Sequence, residues 1–405
     1  MQTKKHKLIL VIIFCLILLP LGGCWDAREF DKLTFIKGIA IDPAEEKDRI
    51  KFSVQIVKPG GGSQGQTPGE IASELISSTG YTVYEANRNL IKQIGRSPFY
   101  GHNEVVIINE KLARQGINPF LDIFLRNKEI RGRVVVAISK GDASNILNKT
   151  HYLDNITASG IKIMLNGVSA SGTIVASEII PLETNLLNKY RDPVTSAIEL
   201  KPGGPPSEEE SSSDSSSSSK EGQSGDGKNL IYASGGALFK GDKLVDFLTR
   251  KEARGYNWIF MPDNIRGPVV INTGENELTR RISIEIYRVN SDINPHYDGS
   301  NFSVDIDVKT EGFIIEELEQ DLTLTQDEQI ENLNKKFAQV VNNEIYNALE
   351  KGRQHNADIL GIADSIHQKY PEEFKKIEDD WDQIYQDIPV NINVKAQIRR
   401  TGMLK

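Results

Sequence analysis

Along the chain the spacing of apolar residues switches between periods of two and three to four, and each switch marks an element. Residues 33–42 and 49–57 predict two strands joined by a polar turn. In the second, Ile50, Phe52, Val54 and Ile56 alternate with Lys51, Ser53 and Gln55, the pattern of a half-buried strand. Residues 81–94 carry a helical spacing. Val105-Val106-Ile107-Ile108 and Val134-Val135-Val136-Ala137-Ile138 are unbroken apolar runs, as expected of parallel strands covered on both faces. Residues 111–127 between them read as one or two helices, so this stretch predicts a strand–helix–strand crossover. Helical stretches near 153–165 and 175–189 and a strand near 194–200 follow.

The later pattern is clearer. Residues 229–260 predict a strand, a turn at Lys240-Gly241-Asp242 and a short helix. Three stretches alternate strictly, each a strand with one dry and one wet face. Their dry positions are Ile282, Ile284 and Ile286; Phe302, Val304, Ile306 and Val308; and Val390, Ile392, Val394, Ala396 and Ile398. From Thr325 to about Gly352 a long amphipathic helix places Ile330, Leu333, Phe337, Val340, Val341, Ile345 and Leu349 on one face. Thr325 with Glu328 fits a capping box at its start. Pro371 suits the first position of a further helix, with Glu372 and Glu373 at its positive end. The apolar stripe of the long helix is the cover that the dry strand faces require. These elements predict a mixed α+β and α/β protein of several domains, with mixed β-sheets covered by helices.

Residues 203–228 break the pattern. These 26 residues hold ten Ser and six acids and no aliphatic or aromatic side chain, too little apolar surface to offset ordering entropy. The stretch is expected to be a disordered linker between separate domains. The resulting division is a leader at 1–23, a tether at 24–32, an amino-terminal α/β domain at 33–202, the linker at 203–228, a small middle domain at 229–275 and a carboxy-terminal α+β domain at 276–405.

The leader sets the compartment. Lys4, Lys5 and Lys7 precede an apolar run at 8–19 that is short for a permanent span. Leu21-Gly22-Gly23-Cys24 follows at once, in the form of a bacterial lipobox. A thiol at that place accepts a diacylglyceryl group, and small residues before it admit the peptidase that cuts there. Cys24 is therefore the expected lipidation site, and two acyl chains suffice for stable anchoring at the outer face of the bacterial cell membrane. Cys15 leaves with the leader, so a single thiol remains, which excludes an internal disulfide and a CxxC metal site.

The chain of 405 residues is 39% hydrophobic and 26% charged, which excludes fibrous and polytopic membrane proteins. Its formal charge is −8, and the loss of three leader lysines leaves 45 basic residues against 56 acids, or −11. This acidity excludes a nucleic-acid partner and argues against electrostatic docking on an anionic membrane. Gly60, Gly62 and Gly65 match a phosphate-loop spacing but do not lead directly into a helix, and read as a flexible loop. His102, His151, His296, His355 and His367 do not share a ligand spacing. Asp305 and Asp307 point the same way from one strand, but on its wet face, where solvation explains them. Asp379, Asp380 and Asp382 read as a solvated helix face around a core Trp381. No catalytic residue, cofactor or metal is expected. A solute-binding lipoprotein of a transporter and a surface peptidoglycan hydrolase are the alternative readings.

The segment Gly23-Cys24-Trp25-Asp26-Ala27-Arg28-Glu29, leading into Thr34-Phe35-Ile36-Lys37-Gly38-Ile39-Ala40-Ile41-Asp42, resembles the start of the Ger(x)C family, the lipoprotein C subunits of spore germinant receptors. Gly101-His102-Asn103-Glu104 with the strand after it resembles the family's Gly-His strand. Gly235-Gly236-Ala237-Leu238-Phe239 resembles the opening of its second half, and Ala357-Asp358-Ile359-Leu360-Gly361-Ile362, Trp381 and Arg400-Thr401-Gly402 resemble its end. Leu360 and Ile362 stand where the family more often has Phe, and the Ser-rich linker looks like an insertion. The resemblance implies a three-domain, lipid-anchored C subunit with no known reaction. It implies polytopic A and B subunits as partners in a germinant receptor of the spore inner membrane, where the C subunit serves receptor assembly or signalling.

Overall fold

Two sheets, each with helices packed on it, make up the structure, a computed structural model that describes residues 32–58, 72–149, 151, 154–167, 172–202, 229–261, 265, 267–272, 281–317 and 327–400. The leader, Cys24, residues 25–31 of the tether, the Gly60–Gly65 loop and the 203–228 linker lie outside the described residues.

The first sheet begins with β1 (Leu33–Pro43), β2 (Ile50–Lys58) and β3 (Ala72–Gly80). Helix α1 (Val83–Ile94) follows, capped by the Thr82 hydroxyl, which accepts from Glu85 N, and closed by Gly95 at φ 67°. Short β4 (Ser97–Phe99) lies beside the start of β1. Next come β5 (Val105–Asn109), α2 (Glu110–Ala113), α3 (Asn118–Arg126) and β6 (Val135–Lys140). The half ends with α4 (Ala143–Leu147), α5 (Thr157–Asn166), α6 (Ile179–Leu187) and β7 (Val194–Lys201). Strands β1, β5, β6 and β7 are mutually parallel neighbours, as their apolar runs and the expected crossover require. Alternate residues of one run face opposite helix layers. Val106 and Ile108 of β5 join the cluster under α1, α2, α3 and α6, while Val105 and Ile107 join the one under α4 and α5. Gly38 lets the second layer approach β1; a Cβ there would sit 2.7 Å from Ala158 Cβ.

Residues after the linker depart from the expected division. Strand β8 (Leu230–Lys240) pairs antiparallel with β7, in register from Lys201↔Leu230 to Val194↔Leu238. Strand β9 (Lys243–Leu248) turns back on β8. The order of the first sheet is β3-β2-β1-β5-β6-β7-β8-β9, with β4 on β1, so residues 230–248 complete this sheet rather than open a middle domain. The reason is physical. A polar composition reports that a segment does not order itself, not that its ends part. Closing a longer loop costs only ~0.6 kcal/mol per doubling of length.

Helix α7 (Arg250–Phe260) carries the chain across to the second sheet. A capping box between Thr249 and Glu252 starts it, and Trp258, fully buried, belongs to the second core. That sheet is β10 (Pro268–Asn272), β11 (Arg281–Tyr297), β12 (Phe302–Glu317) and, after the helices, β13 (Val390–Arg400). β13 runs parallel to β12 and the other pairs are antiparallel. The long helix α8 (Asp327–Gln354) lays Leu333, Phe337, Val341, Ile345 and Leu349 on the dry face, as its stripe predicts. Then come α9 (Ile362–Lys369), α10 (Pro371–Phe374) and α11 (Trp381–Asp387).

Candidate functional site

The junction between the two sheets is built on carboxylates. Asp192, just before β7, accepts from Gly241 N at 2.7 Å and from Asp358 N at 2.8 Å. Its own N–H donates to the Asp358 carbonyl. One side chain thus ties the first sheet, the β8–β9 turn and the loop before α9. Lys240 reaches Asp192 at 3.5 Å and Asp382 of α11 at 2.9 Å. Burial alone would lower the Lys240 amine, but these two acids hold it above its usual value.

Asp358 is fully buried and caps α9, accepting from Ile362 N at 2.9 Å and Ala363 N at 2.7 Å. Burial raises its carboxyl to about 7, with the backbone donors pulling the other way and the nearby Asp192 charge adding to the rise. Beside it, Tyr190, His367, Phe374, Trp381 and Tyr385 form a chain of ring contacts with centroids 4.3–6.0 Å apart. Trp381 lies at the margin of the core, half-buried, while Asp379 and Asp380 are exposed, as expected.

One further tie crosses the boundary, and another joins α7 to α8. Asp246 of β9 receives Lys351 at 2.5 Å and His355 at 2.9 Å, both at the end of α8. Burial would raise Asp246, but the Lys351 bond and charge hold it below the usual carboxylate range. Glu344 of α8 receives Arg254 of α7 as a two-pronged pair and Trp258 Nε1 at 2.9 Å. Arg254 also donates to the Pro268 carbonyl.

The wet face of the second sheet carries the suspected acids. Asp305 accepts from Asn391 and faces His296 Nε2 at 3.2 Å; Asp307 accepts from Asn294 and Asn393. Each carboxylate, half-buried, is held by side chains of both neighbouring strands. A shallow groove of about 560 Å³ beside them is lined by Asp305, Asn342, Tyr346, Asn391 and Asn393. The arrangement offers hydrogen bonds rather than a desolvated acid–base pair. The histidines are dispersed: His102 packs on Phe35 and Phe99, His151 pairs with Asp154, His367 stacks on Tyr190, and His296 and His355 meet single aspartates. Among the described residues no three His, Cys, Asp or Glu side chains converge as a metal site.

The junction acids were not visible as a group, since Asp192 and Asp358 are 166 residues apart. Asp358 did carry a signal: an acid inside the apolar run Ala357–Ile362 must be buried with its chain neighbours.

Comparison with known proteins identifies the lineage. Residues 26–200 match the family described as "Spore germination protein N-terminal domain", and residues 234–402 match "Spore germination B3/ GerAC like, C-terminal". "Spore germination protein KC" of Bacillus subtilis is 27% identical over 407 residues, covering 98% of this chain and 97% of its own. "Putative spore germination protein YfkR" of the same organism is 24% identical, covering 100% and 98%. Among solved structures, that titled "Crystal Structure of the GerBC protein" shares the fold, with a TM-score of 0.52 at 18% identity, over 92% of this chain and 99% of that one. With both halves matched in order on either side of the Ser-rich segment 203–228, the chain belongs to the GerAC-like family of spore germination proteins.

Proposed function

We propose that the protein is a non-enzymatic, lipid-anchored subunit of a nutrient germinant receptor in the spore inner membrane. In this reading it acts in assembly or signalling with two polytopic A and B subunits. The observation that carries the reading is the end-to-end match, in order, to spore germination proteins. Three features support it. The Leu21–Cys24 lipobox supplies an anchor through Cys24. Among the described residues no helix is long and apolar enough to cross a membrane. The strongest side-chain networks tie elements to one another rather than converge on a reactive atom. A solute-binding lipoprotein would place a cleft between two similar lobes, whereas here the two sheets differ in strand number and topology.

The test is genetic. Deleting the gene, or making Cys24→Ala, in a strain lacking paralogous receptors should abolish or strongly slow the response to one set of nutrients. Lysozyme-triggered breakdown of decoated spores should be unaffected. A normal nutrient response in the deletion strain overturns the reading.

A further inference from the structure

Net negative charge is not spread evenly over this protein. The four parallel strands β1, β5, β6 and β7 have all their amino ends on one side, and exposed basic and apolar side chains collect there, beside the half-buried acids Glu129, Glu178 and Glu183. Arg96 precedes β4, whose Ser97 is level with Leu33 at the start of β1. Lys128, Arg131 and Arg133 lie on the loop entering β6, whose Val135 is level with Val105 of β5. That loop reaches the β4 side: a Cβ on Gly101 would sit 3.5 Å from the Glu129 carbonyl oxygen. All four basic side chains belong to exposed residues, and none is in an ion pair among the described residues. Helix α6 crosses the same end. Ile180 covers Gly132, where an added Cβ would lie 2.2 Å from Ile180 Cδ1. Ile180 is 55% and Leu187 76% exposed, and with Thr184 they form one outward stripe at helical spacing. Beyond α6 the surface turns acidic. Lys189 is paired with Glu378, and Asp379 and Asp380 follow, which bounds the patch.

The tether decides what this end can meet. Nine residues separate Cys24 from Leu33, a reach of ~30 Å when fully stretched. The other end of β1 is ten residues away, another ~33 Å along the strand, so the amino end is the nearer of the two to the anchor point. The 203–228 segment, with six acids against two lysines, joins the sheet at Lys201 and Leu230, at the far end. The charge that an anionic surface would repel is thus attached at the end of the sheet away from the tether.

We infer that the amino end of the first sheet is a lipid-docking face, with Arg96, Lys128, Arg131 and Arg133 on anionic headgroups and Ile180 and Leu187 at the interfacial layer. The protein is then oriented on the bilayer, its parallel strands standing amino end down. This inference rests on the reading that Cys24 is the anchor point.

Cys24 is the sole thiol of the mature chain, so residues 24–405 can be coupled through it to a maleimide lipid. The vesicles are phosphatidylcholine with or without one-third phosphatidylglycerol. A photo-crosslinking benzoylphenylalanine is placed at Leu187, or at Glu46 in the far β1–β2 turn. On anionic vesicles the lipid adduct at Leu187 should exceed that at Glu46 by at least about tenfold. It should fall by roughly fivefold or more in the Arg131→Glu/Arg133→Glu variant and when phosphatidylglycerol is omitted. Equal adducts at the two positions, more at Glu46, or no dependence on either charge change overturns the inference. Chemical coupling bypasses the cell's own lipidation. Mass spectrometry of the native amino terminus judges the anchor separately, so the two failures are told apart.

Discussion

The pair Arg254–Glu344 offers a quantitative test of how α7 is held to α8 over the second core. Its side chains are 11% and 5% exposed, and the carboxylate also holds Trp258 Nε1. Arg254→Met would leave the Glu344 carboxylate buried with one neutral donor. Glu344→Met would leave the guanidinium, among the described residues, with the Pro268 carbonyl alone. Removing one member of such a buried pair costs about 3–5 kcal/mol, because the other charge stays desolvated. Replacing both with Met removes the desolvation along with the attraction, and that combination is close to neutral in well-packed sites. The double variant should therefore recover most of the loss, with a coupling of at least ~2 kcal/mol. Urea unfolding of the mature chain, followed by tryptophan fluorescence, measures all four corners of the cycle. Single variants each costing under ~1 kcal/mol, the range of exposed pairs, would refute the burial argument. A double variant that costs the sum of the singles would refute the coupling.

Two more predictions concern pH and the Ser-rich segment. With its carboxyl raised to about 7, Asp358 keeps a proton in the folded state that the unfolded chain has lost above its ordinary value of 3.8. Stability contributed by this group therefore falls as pH rises from ~4 to ~7 and is level beyond both limits, by up to roughly 4 kcal/mol for a three-unit rise. Urea midpoints from pH 4.5 to 8 should show that slope, and Asp358→Asn should flatten it; an unchanged slope in the variant refutes the assignment. Replacing the 26 residues of 203–228 with six Gly/Ser residues should preserve the β7–β8 pairing and change stability by only ~1 kcal/mol, from the logarithm of loop length. Loss of cooperative unfolding in that variant would show that the segment contributes contacts of its own.

Much of the architecture was legible. Val105–Ile108 and Val134–Ile138 form parallel neighbours buried on both faces, and the stripe from Leu333 to Leu349 covers the sheet whose dry faces were read at Ile282, Val304 and Ile398. Strand β3 was missed because its sequence, ASELISSTG, is polar and rests at the sheet edge, where pairing rather than burial holds it. Strand β9 was hidden by brevity: six residues with a charged Asp246 in their middle.

The amino-acid order alone determined what is local or periodic: the Leu-Gly-Gly-Cys motif ending at Cys24, the strands that alternate, the long helix and the absence of aliphatic and aromatic side chains from 203–228. Each is a property of neighbours a few residues apart, set by side-chain chemistry and backbone period. Only the tertiary structure decided that β7 and β8 are partners across that segment, that Asp192 meets Asp358, and that Arg96, Arg131 and Ile180 share one end of a sheet. Those meetings join residues tens to hundreds of positions apart, and they follow from how whole faces pack, which pairwise spacing along a chain does not encode.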